Sequence, residues 1–173
     1  MLEDYQIITD WYEKYSDSIQ SFIYIMVHDF QQSEDLMQDT FFRAYRKLDT
    51  FKGESTEKTW LFSIAHNVTI DFLRKRKTLQ LFKGVFRETP SGDTPESVYM
   101  LKEENNELFL ALNELKDQQK LVITMRKIKG FSIKETSEIL GWSETKVKTT
   151  LHRALPVLES KMKNRGIFYE KVT

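Results

Sequence analysis

No cysteine occurs among the 173 residues. Disulfide bonding and thiol chemistry are excluded, and a reducing cytoplasm suits such a chain. Glycine and proline are scarce, six and three, which argues for helices over a turn-rich all-β fold. The longest apolar run, Phe22–Val27, falls far short of the roughly 20 residues that cross a bilayer. Glu3, Asp4, Asp10 and Glu13 crowd the first thirteen positions, against an export signal. Histidine is limited to His28, His66 and His152, scattered and without an H-x-x-x-H pair. His66 reads as a satisfied, partly buried side chain. No Gly-rich phosphate loop or nucleophile motif is found either. We therefore expect no catalytic activity, no metal, no cofactor and no small-molecule substrate.

What is present is apolar mass and segregated charge. Aromatics make up 13%, with 12 Phe and 3 Trp, enough for one mid-sized core or two small ones. The formal net charge of zero conceals alternating blocks. Residues 1–30 hold one basic and six acidic side chains, and 71–87 hold six and one. Residues 88–117 hold two and eight, and 118–173 hold twelve and five. A polyanion could be gripped at the two basic blocks. The acidic block between them either meets a partner or keeps the free protein off DNA. We favour the second, so neutralising Glu103, Glu104 and Glu107 should raise DNA binding by the free protein.

The densest signal is FSIKETSEILGWSETKVKTTLHRA, Phe131–Ala154. Ser132 and Glu135 form a capping-box pattern that starts one helix. Gly141 ends it, where a left-handed backbone is needed. Ser143 caps a second helix. On that helix Val147, Leu151, Ala154 and Leu158 share one face, while Thr145, Thr149, His152 and Arg153 point the other way. This is a helix-turn-helix suited to a DNA groove. An ordinary helical hairpin would not need cap, small Ser137, glycine, second cap and apolar seat together.

Upstream, a first helix is expected from about Asp4 to His28, on the recurrence of Ile8, Tyr12, Tyr15, Ile19, Phe22, Ile23 and Met26. A second is expected from a Ser33 cap to about Leu48. After the loop Asp49–Ser55, Ser55 or Thr56 caps a third, expected to run through Arg76. Its stripe Leu61, Ile64, Ala65, Val68 and Phe72 opposes Trp60, Ser63, Asn67, Asp71 and Arg74. An aromatic beside polar and basic groups suits single-stranded nucleic acid. Equally, Trp60 could finish the core. Residues 78–93 read as a linker broken by Gly84, Pro90 and Gly92, with an apolar cluster of Leu79, Leu81, Phe82, Val85 and Phe86 able to dock on a partner. Thr94 and Pro95 begin a further helix through Leu108, Leu112 and Leu115. Another spans about Asp117–Ile128. The expected fold is all-α: a domain at 1–77, a flexible linker at 78–95 and a helix-turn-helix domain at 96–173.

Three runs together, SEDLMQDTFFRAYRKLDTFKG, TEKTWLFSIAHNVTIDFLRKRK and the helix-turn-helix above, resemble the sigma-70 family of bacterial transcription initiation factors. The likeness is to its small two-domain branch, the extracytoplasmic function (ECF) sigma factors, and it covers about residues 5–162. The resemblance implies a cytoplasmic protein that partners RNA polymerase core, through the largest-subunit clamp helices and the flap, and promoter DNA. It also implies an anti-sigma factor linked to the membrane. Asp35, Gln38, Asp39 and Phe42 match the clamp-helix contacts. Asp35 and Asp39 would equally serve a helix N-terminus. Phe51, Lys52, Lys58, Trp60, Asn67, Arg74, Lys75 and Arg76 match the part that opens the minus-ten element and holds a flipped base. With Lys77, the last three also suit a helix C-terminus. For the minus-thirty-five element the matching residues are Lys146, Thr149 and Arg153, with Lys148 and His152 as secondary contacts.

Three positions depart from the family pattern. Leu115-Lys116 stands where a Leu-Pro pair is usual. Trp142 replaces a smaller aliphatic residue in the turn. Pro156 should kink or end the reading helix near Leu155. A free-standing regulator binding operator DNA as a dimer would explain the helix-turn-helix. It would leave the loop and aromatic helix at 51–77 without a role.

Overall fold

The computed structural model describes residues 1–84 and 103–166, with side chains from 106 onward in the second stretch. All regular structure among the described residues is helical. It falls into two compact units, as expected for an all-α, two-domain chain. The expected helix start at Thr94-Pro95, the apolar Val85 and Phe86, and the side chains of Glu103 and Glu104 lie outside the described residues.

The first unit is built from α1 (Leu2–Val27), α2 (Phe30–Arg46) and α3 (Glu57–Lys83). Ile19, Phe22, Ile23 and Val27 of α1 are buried against Leu36, Met37, Phe41 and Ala44 of α2 and Leu61, Phe62, Ala65 and Val68 of α3. The rings of Phe22 and Phe62 lie 5.8 Å apart at the centre. α1 ends at His28, which takes the left-handed backbone (φ 59°) and returns its N–H to the Tyr24 carbonyl at 2.9 Å.

Two boundaries differ from expectation. The cap of α2 is not Ser33 but Asp29, four residues earlier, which is extended and whose carboxylate accepts the Gln32 N–H at 3.0 Å. Ser33 is buried inside the helix and donates to the Phe30 carbonyl at 2.6 Å. α3 continues past Arg76 and over Thr78–Lys83, where the linker was expected to begin. No helix breaker precedes Gly84, and the helix stops there at φ 59°. The extension leaves Leu79, Leu81 and Phe82 strongly exposed, Phe82 at 86%.

The second unit contains α4 (Glu103–Asn113), α5 (Asp117–Ile123), all but the last three residues of α6 (Ile133–Leu140), and α7 (Glu144–Asn164). Leu112, Leu115, Val122, Met125, Phe131, Val147 and Ala154 are buried in it. α5 was expected to run to Ile128. Instead Thr124–Ile128 widens into a π-helical turn, with the Lys129 N–H on the Thr124 carbonyl at 2.9 Å. Arg126 Nη1 closes the loop by donating to the Phe131 carbonyl.

The capping box of α6 is complete. Ser132 Oγ accepts the Glu135 N–H at 3.0 Å and Glu135 Oε2 accepts the Ser132 N–H at 2.7 Å. α6 has only eight residues, too few to persist on propensity alone. Ser132→Ala should therefore destabilise the second unit by about 1 kcal/mol, read as a lower urea midpoint at unchanged slope.

Pro156 does not end α7, which runs on to Asn164. A proline inside a helix costs about 3 kcal/mol. Beyond it, Met162 is 3% exposed, and burying such a side chain returns roughly 1.5–3 kcal/mol. Lys161 and Arg165 also pair with α4 and its exit: Lys161 meets Glu114 at 3.2 Å, and Arg165 meets Glu114 and, at 3.6 Å, Glu107. Packing therefore offsets the proline.

Candidate nucleic-acid and polymerase-docking surfaces

The outward face of α2 carries Asp35, Gln38, Asp39 and Phe42, spread over two helical turns. Asp35, Gln38 and Phe42 are exposed and Asp39 is half-buried. Asp39 pairs with Arg43 at 3.0 Å. Phe42 projects 59% exposed, with the Arg46 guanidinium 5.8 Å from its ring centre. Phe41, next in sequence, faces inward against Tyr12 of α1 at 4.9 Å. Helical spacing thus separates a core ring from an exposed one at adjacent positions.

Phe51 and Trp60 come together, and with them a residue the sequence reading missed. Trp11 of α1 lies 5.4 Å from Phe51 and 6.0 Å from Trp60, and Phe51 lies 5.2 Å from Trp60. The near-perpendicular and tilted geometries are those favoured by aromatic pairs. All three rings are half-buried. The cluster sits where the Thr56 hydroxyl caps α3 by accepting the Thr59 N–H at 3.1 Å. Glu57, first in that helix, accepts from Tyr15 Oη at 2.7 Å and from Lys14 at 3.3 Å. These bonds tie the start of α3 to α1. The Tyr15 hydrogen bond, reinforced by Lys14, holds the Glu57 carboxyl below its ordinary range, while desolvation pushes Tyr15 up. No local sequence signal pairs Trp11 with rings 40 and 49 positions away.

Further along α3, Asn67 is exposed and Lys58 is half-buried, with Lys52 exposed on the preceding loop. Arg74 and Lys75 are exposed, and Arg74 pairs loosely with Asp71 at 3.9 Å. Arg76 faces inward. Its Nη1 donates to the Val27 carbonyl at 3.1 Å and its guanidinium lies over Phe72. It therefore caps the end of α1, a role separate from that of its neighbours. His66 is buried, yet against the expectation of a satisfied side chain its Nδ1 has no hydrogen-bond partner among the described residues, and burial lowers its pKa below the usual imidazole value. A depressed histidine favours folding fully above the unfolded pKa of about 6.5, and the advantage shrinks as pH falls through that value. The first unit should lose stability as pH falls below about 6.5, and His66→Leu should flatten that slope in denaturant titrations.

On α7, Lys146, Lys148, Thr149, His152 and Arg153 are all exposed, as is Thr145. Val147 and Ala154 are fully buried, and Leu151 and Leu158 are half-buried. One face therefore seats the helix and the other is free for a groove. Among the described residues no three carboxylate or imidazole groups gather as a metal would need.

Two family models match the chain: sigma-70 region 2 over residues 11–78, and sigma-70, region 4 over 105–155. The ECF RNA polymerase sigma factor SigX of Bacillus subtilis is 39% identical over 169 residues, covering 94% of this chain and 85% of that protein. The chain belongs to the ECF sigma factors of the sigma-70 family. Its function is that of the family, directing RNA polymerase to promoters. The RNA polymerase sigma factor YlaC of the same organism is 35% identical, covering 90% of this chain and 91% of that protein. Among solved structures, the sigma factor RpoE of Bartonella quintana, in complex with the anti-sigma factor NepR, matches with a TM-score of 0.76. It shares 28% identity, over 90% of this chain and 96% of that one. In this sigma factor region 2 spans the α2 face and the aromatic cluster, including Trp11 at its first position. Region 4 ends at Leu155, one residue before Pro156.

Proposed function

We propose that this sigma factor, in directing polymerase to promoters, divides the work among three surfaces. The α2 face of Asp35, Gln38, Asp39 and Phe42 holds the clamp helices of the polymerase core. The loop Phe51–Lys58 and the outer face of α3, with Trp60 and Asn67, capture the melted minus-ten strand. Lys52, Lys58, Arg74 and Lys75 hold its phosphates. The exposed face of α7 reads the minus-thirty-five element as duplex. The observation that supports this most is the seating of α7: its apolar side is buried while Lys146, Lys148, Thr149, His152 and Arg153 stay exposed. Two linked domains, each binding weakly, gain from acting on one DNA molecule.

The chain works in the cytoplasm and is held inactive by an anti-sigma factor linked to the membrane. No helix among the described residues is long and apolar enough to cross a membrane, and the Bartonella relative was solved bound to an anti-sigma factor. Run-off transcription from a bacterial promoter library, with core polymerase and with or without this chain, tests the whole reading. New starts preceded by two spaced elements are expected. Tight duplex binding as a dimer, with no new starts, would instead make it a free-standing regulator. Membranes of its host should suppress the new starts, and undiminished transcripts would rule out the membrane-linked anti-sigma factor.

A further inference from the structure

We infer that Trp142 is a positioning residue for promoter reading: its indole holds the Lys146 ammonium ready over the upstream element. The inference rests on α7 being the helix that reads that element. Lys146 lies in the first turn of α7, where a positive charge opposes the helix dipole. A lysine there needs compensation. Among the described residues its partner is a ring and not a carboxylate: the Lys146 Nζ sits 3.9 Å from the centre of the Trp142 indole.

The backbone is held at both ends of this contact. The Trp142 N–H donates to the Ser137 carbonyl at 3.1 Å, and Ser137 Oγ donates to the Trp142 carbonyl. Gly141, at φ 66°, turns the chain so that these bonds form. The Lys146 N–H is held by Ser143 Oγ at 3.1 Å. The Trp142 ring is half-buried while Lys146 is exposed. An ammonium has three N–H donors. The face of a ring occupies one direction, which leaves donors for a guanine edge or a phosphate. A free lysine loses much rotamer freedom on docking. One already held by an indole loses less, so binding is tighter and the donor is aimed.

The smaller aliphatic residue usual at this turn provides the natural control, Trp142→Leu. The test uses holoenzyme, reconstituted with core polymerase, and a pool of promoter duplexes randomised across the upstream element. Trp142→Leu should weaken selected duplexes by about two- to fivefold. It should flatten base preference only at the positions that Lys146→Ala flattens. The double variant should bind no worse than Lys146→Ala alone, because Trp142 acts through the lysine. Trp142→Phe should recover part of the loss. Additive effects in the double variant, or equal flattening at every position, would make Trp142 a packing residue only and overturn the inference. So would unchanged binding by Trp142→Leu. Arg153→Ala separates the two levels. If it and Lys146→Ala both leave selection unchanged, the assignment of α7 as reader has failed, and this inference with it.

Discussion

Phe42→Ala should weaken binding to core polymerase by about thirtyfold or more and leave the chain folded. The ring is 59% exposed and outside the buried core. The Arg46 guanidinium lies 5.8 Å from its ring centre, and such a contact at an exposed site is worth only about 0.5–1 kcal/mol. An exposed aromatic ringed by polar groups is what an interface hot spot looks like before its partner covers it. The neighbouring substitution supplies the contrast. Phe41 is 5% exposed and meets Tyr12 edge to face, so Phe41→Ala should cost about 3–5 kcal/mol of stability. Titration of labelled chain with core polymerase, beside thermal melts of both variants, separates the two. If Phe42→Ala bound core within about twofold of the parent, α2 would not be the docking face.

Features written in a few consecutive residues were readable in advance. Ser132 with Glu135, Gly141 and Ser143 each act on backbone groups within four positions, so their chemistry is local. The two faces of α7 follow from helical spacing alone. Errors arose where two local signals competed or where tertiary packing decided. HDFQQS offers both Asp29 and Ser33 as caps, and Asp29 prevails because Ser33 is needed inside the core. Pro156 is a strong local breaker, overridden by Met162 and the ion pairs to Glu114 and Glu107. Arg76 belongs to a four-residue basic run, yet the end of α1 claims it alone. Trp11 could not be assigned, because its partners are brought to it only by the packing of α3 on α1. The Trp142–Lys146 pair was within reach, since only the Ser143 cap and two residues separate the turn from Lys146 in the first turn of α7.

The sequence left Trp60 divided between core and DNA, and the structure places it half-buried against two other rings. Trp60→Ala removes two aromatic contacts, at 6.0 Å to Trp11 and 5.2 Å to Phe51. Each is worth about 0.5–1.5 kcal/mol beyond area burial. The site borders solvent, so the loss should be about 2 kcal/mol, below the 3–5 of a sealed cavity. If an unstacked base also lies on the indole, a further loss of about 1–3 kcal/mol appears only when DNA is melted. That second loss would lower transcription by about five- to 150-fold at temperatures where the variant is fully folded. Trp11→Ala serves as the reference, since it opens the same cluster from α1 and not from the helix facing DNA. Transcription from a promoter already mismatched across the minus-ten element removes the cost of opening duplex. There Trp60→Ala should remain defective while Trp11→Ala recovers. Should both variants instead lose activity in proportion to their stability, on duplex and mismatched templates alike, Trp60 is a core residue and the base must stack elsewhere.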